Sequence, residues 1–292
     1  MNFTLLDCLL LLMVLIWGSN FSIVKVALRD FPEIAFNAMR MAVGSVVFLS
    51  VIASTRPAKP RPLITRRDWI ELALLGTVGT FLYQLCFVAG VGRTSVGNSS
   101  LIIGISPVII AVMSALAGHE RIKPMRWVGV LLALFGLYLV VAHGVDLSGA
   151  TWRGDALMML GVLCWSLFSV ASQPILKRHS PLMVIGLAFS IGGALYIAAL
   201  MPWLIDVNWR GVSTFSWMLM LASALLSLNL SYWIWYTGLK KLGGSRTSVY
   251  SYLTPIVAIV VAAMWLDEPI SANQIMGAGA ILGGLLITRF VN

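Results

Sequence analysis

The sequence predicts an all-α, polytopic membrane protein of about ten transmembrane helices, arranged as two inverted five-helix repeats with both termini cytoplasmic. Three observations carry that expectation. Of 292 residues, 59% are hydrophobic and only 11% charged, against roughly 25% charged in soluble domains, so lipid must be the solvent for most of the chain. The apolar residues fall into ten runs, near 6–28, 34–53, 69–91, 95–118, 125–142, 154–176, 182–202, 214–239, 246–266 and 270–290. Each is about the ~20 residues that a helix needs to cross a hydrocarbon core. Thirdly, the chain repeats itself at an offset of 148 residues.

Each crossing must satisfy its own backbone groups, which leaves helices or a closed barrel. Barrel strands of about ten alternating residues are not visible in these runs. The gaps between runs then fix the sidedness, because cytoplasmic connections hold the excess of Lys and Arg. The even-numbered gaps and the C-terminus hold Arg56, Lys59, Arg61, Arg66, Arg67, Arg121, Lys123, Arg126, Lys177, Arg178, Lys240, Lys241, Arg246 and Arg289. The odd-numbered gaps hold only Lys25, Arg29, Arg93, Arg153 and Arg210. That asymmetry places both termini on the cytoplasmic side, the geometry an even number of helices requires. The first run has no preceding Lys or Arg and no small-residue cleavage site, so it reads as a spanning helix and not as a leader.

Sliding the chain by 148 residues pairs Asp7 with Asp155, Trp17 with Trp165, Gly90 with Gly238, Pro107 with Pro255, Glu120 with Glu268, Gly129 with Gly277 and Gly136 with Gly284, without a gap. Such coincidences at one offset mark a duplication, with halves at 1–145 and 146–292. Five helices per half is odd, so equivalent helices cross in opposite senses, the inverted repeat found in secondary transporters.

Other function classes lack their residues. The net charge of +9 is scattered through short gaps and forms no basic stripe for nucleic acid. Cys8, Cys86 and Cys164 sit inside apolar runs without metal-ligand spacing. There is no P-loop, no H-E-x-x-H and no Gly-x-Ser-x-Gly, so neither ATP-driven pumping nor hydrolysis has its usual constellation. No enzyme activity, cofactor or metal is expected. The expected partners are the bilayer and a small-molecule substrate. The oligomeric state stays open, with a monomer among the options.

The residues resemble a known family. Ser106-Pro107-Val108, thirteen residues before Glu120 in Gly118-His119-Glu120-Arg121-Ile122 and followed by Gly129 and Gly136, is similar to the repeat of EamA-type drug/metabolite transporters. Thr254-Pro255-Ile256, Asp267-Glu268-Pro269-Ile270, Gly277 and Gly284 repeat it. His119 and Leu266 stand where that family often has Gly. Length, the opening Leu-Ile-Trp-Gly-Ser-Asn-Phe and the many aromatics look most like YddG-type exporters of amino acids and related metabolites. The resemblance implies export by alternating access in a bacterial-type inner membrane, through a cavity between the first, third, fourth, sixth, eighth and ninth helices. Its cargo would be amino acids, aromatic ones foremost. Two other readings stay open: an exporter of cationic drugs or nucleotide-type metabolites, and a membrane-embedded sensor without net flux.

Candidate binding residues are polar or aromatic side chains sharing one helical face. Trp17 and Asn20 do so on the first helix, with Phe21; Tyr83 and Phe87 on the third; Trp165 and Ser169 on the sixth; and Asn229, Tyr232, Trp233 and Tyr236 on the eighth. Asn98 is counted with them. Each could equally be packing, or an aromatic anchor at the membrane interface. Arg40 is the one cation well inside an apolar run, where it costs about 2.5–3.5 kcal/mol or more. Its partner is either a substrate carboxylate, loop carbonyls or Glu33, seven residues earlier. Pro107 and Pro255 are expected mid-helix, where each removes a backbone bond and bends the chain, as a gating hinge or as a static kink. No Asp or Glu is expected near the midplane, which leaves uniport and proton antiport equally open. The paired glycines Gly129/Gly136 and Gly277/Gly284 predict close packing of the fifth and tenth helices.

Overall fold

The computed structural model describes residues 4–55, 63–116, 124–142, 150–242, 247, 250–251 and 253–290. They form helices α1 (Leu5–Ala27), α2 (Glu33–Ser54), α3 (Arg66–Arg93), α4 (Val96–Ile103), α5 (Ser106–Leu116), α6 (Pro124–Ala142), α7 (Ala150–Ala171), α8 (Gln173–Arg178), α9 (Pro181–Ile205), α10 (Thr214–Leu242), α11 (Thr254–Trp265) and α12 (Ala272–Phe290). Among the described residues six helical stretches are long and apolar enough to cross a bilayer by themselves: Leu5–Ala27, Glu33–Ser54, Arg66–Arg93, Trp152–Arg178, Pro181–Ile205 and Thr214–Leu242. Val96–Ile110, Trp127–Gly136 and Thr254–Trp265 are shorter apolar helices. Glu120, His119 and most of the basic residues of the second and fourth gaps lie outside the described residues.

Short polar punctuation starts the helices. Thr4, Thr65, Ser95, Ser180 and Ser213 each turn a side-chain oxygen onto an orphan amide of the first turn. At Thr4 and Thr65 the third residue in, Asp7 or Asp68, returns the bond to the cap amide as a reciprocal box.

The repeat is visible in backbone detail. In α3 the helix widens to a π-helical stretch over Thr77–Leu82, and in α10 over Ser223–Leu230. The two stretches end at residues 82 and 230, which differ by the repeat offset, so both long helices change winding at the same place. A wide turn leaves carbonyls available to partners outside the helix. Trp17 Nε1 donates to the carbonyl of Ser227 inside the second stretch at 3.2 Å, and Asn37 Nδ2 to that of Gln84, two residues past the first, at 3.0 Å.

The halves also grip each other at equivalent positions. The Asp30 carboxylate accepts the Ser216 hydroxyl at 2.8 Å and that of Ser213. Arg178, its mate 148 residues on, bonds Asp68 and Glu71 at 2.8 and 2.5 Å, and Asp68 is the mate of Ser216. The junction after α1 thus clasps the start of α10, and the end of α8 clasps the start of α3. Helix α2 packs on α9, and α6 on α12. A Cβ on Gly136 would stand 2.7 Å from the Gly277 carbonyl oxygen and 2.8 Å from the Ile281 amide nitrogen, so the backbones of α6 and α12 meet with no side chain between them.

One sequence expectation needs correction. Pro107 and Pro255 are not mid-helix. Each is the second residue of a helix, α5 or α11, where its missing N–H would have had no helical partner anyway. The bend before Pro107 is a break at Gly104 and Ile105, with the Ser106 hydroxyl bonding back to Ile103 at 2.6 Å. At Leu266, where the resembled family often has Gly, φ is −111°, and the positive φ of 54° falls on Asp267, a residue type that tolerates it.

Candidate functional site

A cavity of about 670 Å³, mouth included, lies where α1, α2, α3, α7, α10 and the α4–α5 and α11 segments converge. It is lined by Trp17, Asn20, Phe21, Arg40, Tyr83, Gln84, Phe87, Ile103, Gly104, Ser106, Pro107, Ile110, Trp165, Ser227, Leu228, Tyr232, Trp235, Ser251 and Thr254. Ten of these are five repeat pairs: Trp17 with Trp165, Gln84 with Tyr232, Phe87 with Trp235, Ile103 with Ser251, and Ser106 with Thr254. A space lined by both copies of the same positions lies on the seam between the halves. Small-molecule sites in membrane proteins built from repeats are found at such seams.

The walls are aromatic. Trp17 meets Trp165 edge to face at 5.7 Å, Trp235 at 5.6 Å and Tyr232 at 6.2 Å. Trp165 touches Tyr83 at 5.3 Å and Tyr232 at 5.4 Å, while Phe87 lies against Phe21 at 5.4 Å. Each well-oriented ring pair contributes about 0.5–1.5 kcal/mol beyond its buried area, so the box is rigid. Polar groups are few and placed. Gln84 Nε2 donates to the Tyr232 phenol oxygen at 3.0 Å, and the Ser223 hydroxyl donates to Asn20 Oδ1 at 2.5 Å. Arg40 is fully buried, its guanidinium carbon 5.3 Å from the Phe36 ring centroid. Its Nε and Nη1 have no hydrogen-bond partner within the protein. The pairing with Glu33 is not made, because Glu33 binds Arg93 at 2.5 Å.

One end of the cavity is tied shut. One turn beyond Phe21, Lys25 Nζ donates to the carbonyls of Val91 and Thr94 at 3.1 and 2.6 Å. Glu268 accepts from the amides of Val96 and Gly97 at 3.1 and 3.4 Å, a carboxylate on the positive end of α4. The Thr94 hydroxyl donates to the buried Asp155 at 2.6 Å, and Gln274 Nε2 to Asn98 Oδ1 at 3.1 Å. These bonds join α1, α3, α4, α7 and the start of α12 across one mouth.

Of the residues singled out from sequence, Trp17, Asn20, Arg40, Tyr83, Phe87, Trp165, Tyr232 and Pro107 line the cavity. The others stand elsewhere. Asn98 belongs to the closed end. Asn229 donates to the Gly44 carbonyl at 2.9 Å, holding α10 to α2. Ser169 is buried behind the wall, and Tyr236 is sealed against Phe168 at 5.5 Å. Trp233 is 38% exposed on the outer surface, 100° round the helix from Tyr232. Pro255 lies with Leu101, Ile259 and Ile281 around a small separate apolar pocket. Sequence reasoning missed Gln84, Trp235, Ser106, Ser227, Ser251 and Thr254. The offset itself was a usable signal, since Gln84 and Trp235 are the mates of Tyr232 and Phe87. Among the described residues no three His, Cys, Asp or Glu gather as a metal site.

Comparison with known proteins bears on the family and the fold. An uncharacterized transporter of Bacillus subtilis, YyaM, is 25% identical over 276 residues, 92% of this chain and 88% of its own. A protein of Streptantibioticus cattleyicolor named "Probable terminal-alkyne amino-acid exporter" is 26% identical, over 96% of this chain and 92% of its own. The "Probable amino-acid metabolite efflux pump" of Escherichia coli is 23% identical, over 97% and 94%. A crystal structure of 19% identity superposes with a TM-score of 0.70, covering 97% of this chain and 95% of that one, a likeness of fold alone. The EamA-like transporter family matches twice, over residues 4–142 and 152–290. Matched in both halves and over nearly its whole length, this multi-pass membrane protein belongs to the EamA-like transporter family.

Proposed function

We propose that the chain is a secondary transporter that exports small organic metabolites, amino acids and their relatives with aromatic ones foremost, by alternating access through the seam cavity. The observation that carries the reading is the lining by five repeat pairs. Rocking one repeat against the other changes which mouth is open while keeping the shared walls. In this reading the chain makes ten crossings as two inverted halves, 1–145 and 146–292, in a bacterial-type inner membrane. The Lys and Arg asymmetry puts both termini in the cytoplasm. The end tied by Lys25, Glu268 and Asp155 then faces outward. Aromatic walls and the unpaired Arg40 suit a flat molecule bearing a carboxylate. The names of the Streptantibioticus and Escherichia relatives point to the same cargo class. Gating falls to the closed-end contacts and the break before Pro107, with Pro107 and Pro255 as rigid helix starts. Lipid and cargo are the only partners invoked, a monomer acts alone, and no chemical reaction or nucleic acid has a part.

A cationic cargo fits less well, because no carboxylate is among the described residues that line the cavity. The test is uptake of radiolabelled aromatic amino acids and their acids by proteoliposomes holding the purified chain, with and without an imposed pH gradient. Saturable movement is expected. Binding without movement would leave a sensor and reject the transporter.

A further inference from the structure

We infer that the cavity is a receptor for organic monoanions, with Arg40 as the carboxylate-binding residue, so that a flat acid without a free amine binds better than the zwitterionic amino acid and an amine does not bind. The inference deepens the transport reading and rests on it only in taking the seam cavity as the cargo site.

Arginine stays charged at every accessible pH, and a guanidinium removed from water needs an opposite charge or several acceptors. Arg40 is 0% exposed, and two of its nitrogens, Nε and Nη1, find no protein acceptor. The groups around it are the phenols of Tyr83, Tyr196 and Tyr232 and the face of Phe36. None of these is an anion. Glu33, the acid nearest in sequence, is held by Arg93.

The rest of the lining sharpens the selection. Among the described lining residues Arg40 is the single charged one, so these walls carry one positive charge. A monoanion cancels it. A zwitterion brings an ammonium that must be desolvated beside that same charge, and the buried unpartnered acceptors among the described wall residues, Oε1 of Gln84 and Oγ1 of Thr254, are both neutral. A cation meets repulsion with no compensating acid. The guanidinium also presents its nitrogens as a planar fork that pairs a carboxylate through two bonds, and Phe36 beneath it limits rotation of that plane. Trp17 and Trp165 supply ring faces for the body of the same molecule.

The test uses three molecules with one phenyl ring and different charge: hydrocinnamate, phenylalanine and phenethylamine. Binding to the purified full-length chain is followed by fluorescence of the cavity tryptophans, and flux of hydrocinnamate is measured separately in liposomes. Hydrocinnamate is expected to bind about tenfold more tightly than phenylalanine, with no saturable response to phenethylamine. Arg40→Met should abolish the preference for hydrocinnamate, and Arg40→Lys, which keeps the charge without the fork, should retain part of it. The charge order on the unaltered chain needs no variant, so a misfolded Arg40→Met protein does not remove the test. Equal affinity for all three, no saturable response to hydrocinnamate, or an unchanged preference in Arg40→Met overturns the inference. The expected charge order without any flux overturns the transport reading and leaves the anion site standing.

Discussion

The side-chain amide of Gln84 donates to the phenol oxygen of Tyr232 at 3.0 Å, and the two residues are each other's counterparts, 148 positions apart. Trp17 and Trp165 stand in the same relation, ring to ring at 5.7 Å. Counterparts touch only where the two halves face each other across a local twofold relation, so these contacts fix the centre of the seam.

That bond is buried on both sides, and its loss is expected to show as coupling. Removing the phenol in Tyr232→Phe leaves the Gln84 amide without its acceptor, at a cost of about 1–3 kcal/mol. Gln84→Leu combined with Tyr232→Phe should cost less than the sum of the two. Thermal unfolding in detergent of both single variants and the double variant checks this; strictly additive losses would show that the bond contributes nothing specific.

Trp17→Ala and Trp165→Ala should each lower flux about tenfold or more while the chain still inserts, because insertion follows the apolar length of α1 and α7, which one ring barely alters. Each opens the box of edge-to-face and tilted rings formed by Trp17, Trp165, Tyr83 and Tyr232. Normal flux in both variants removes the rings from the transport path.

Two glycines should respond oppositely to the same added methyl. At Gly136 a Cβ meets backbone atoms of α12 at 2.7 and 2.8 Å. Gly136→Ala therefore forces α6 and α12 apart and is expected to cost about 1–3 kcal/mol. Around Gly279 nothing lies within 4 Å, and Gly279→Ala should be neutral or stabilising by up to about 1 kcal/mol through helix propensity. Melting temperatures in detergent decide, and equal shifts for the two would contradict the packing described.

Acid should loosen the clasp after α1. The Ser213 and Ser216 hydroxyls donate to Asp30 and hold its pKa below the ordinary carboxylate value of 3.8. A depressed carboxylate stabilises the fold above its unfolded pKa, and that contribution disappears as the pH falls through the lower folded value. Asp30→Asn should thus melt earlier than the unaltered chain near neutral pH, and the gap should close below pH of about 4. A gap independent of pH would assign the difference to shape and not to charge.

Glu268→Ala should open the closed end. Without the carboxylate the amides of Val96 and Gly97 lose their acceptor, and a cysteine placed at Ser95 is expected to react faster with a water-soluble maleimide. Unchanged labelling would mean that Lys25 and the Thr94–Asp155 bond suffice to hold that mouth.

Helices and repeat were legible without coordinates because they depend on quantities carried along the chain. A run of apolar residues must become a helix in lipid, and an offset of 148 aligns Trp17 with Trp165. Which way a side chain faces was not legible. In a soluble helix a polar stripe marks the outer face, but in a bilayer the lipid-facing and core-facing sides are both apolar. Tyr232 and Trp233 therefore looked alike, and tertiary packing alone turned one into the seam and the other outward. The same holds for charge: Arg40 was visible as a cation in an apolar run, but that Glu33 would be taken by Arg93, leaving Arg40 to the cavity, follows from contacts between helices that no local pattern encodes.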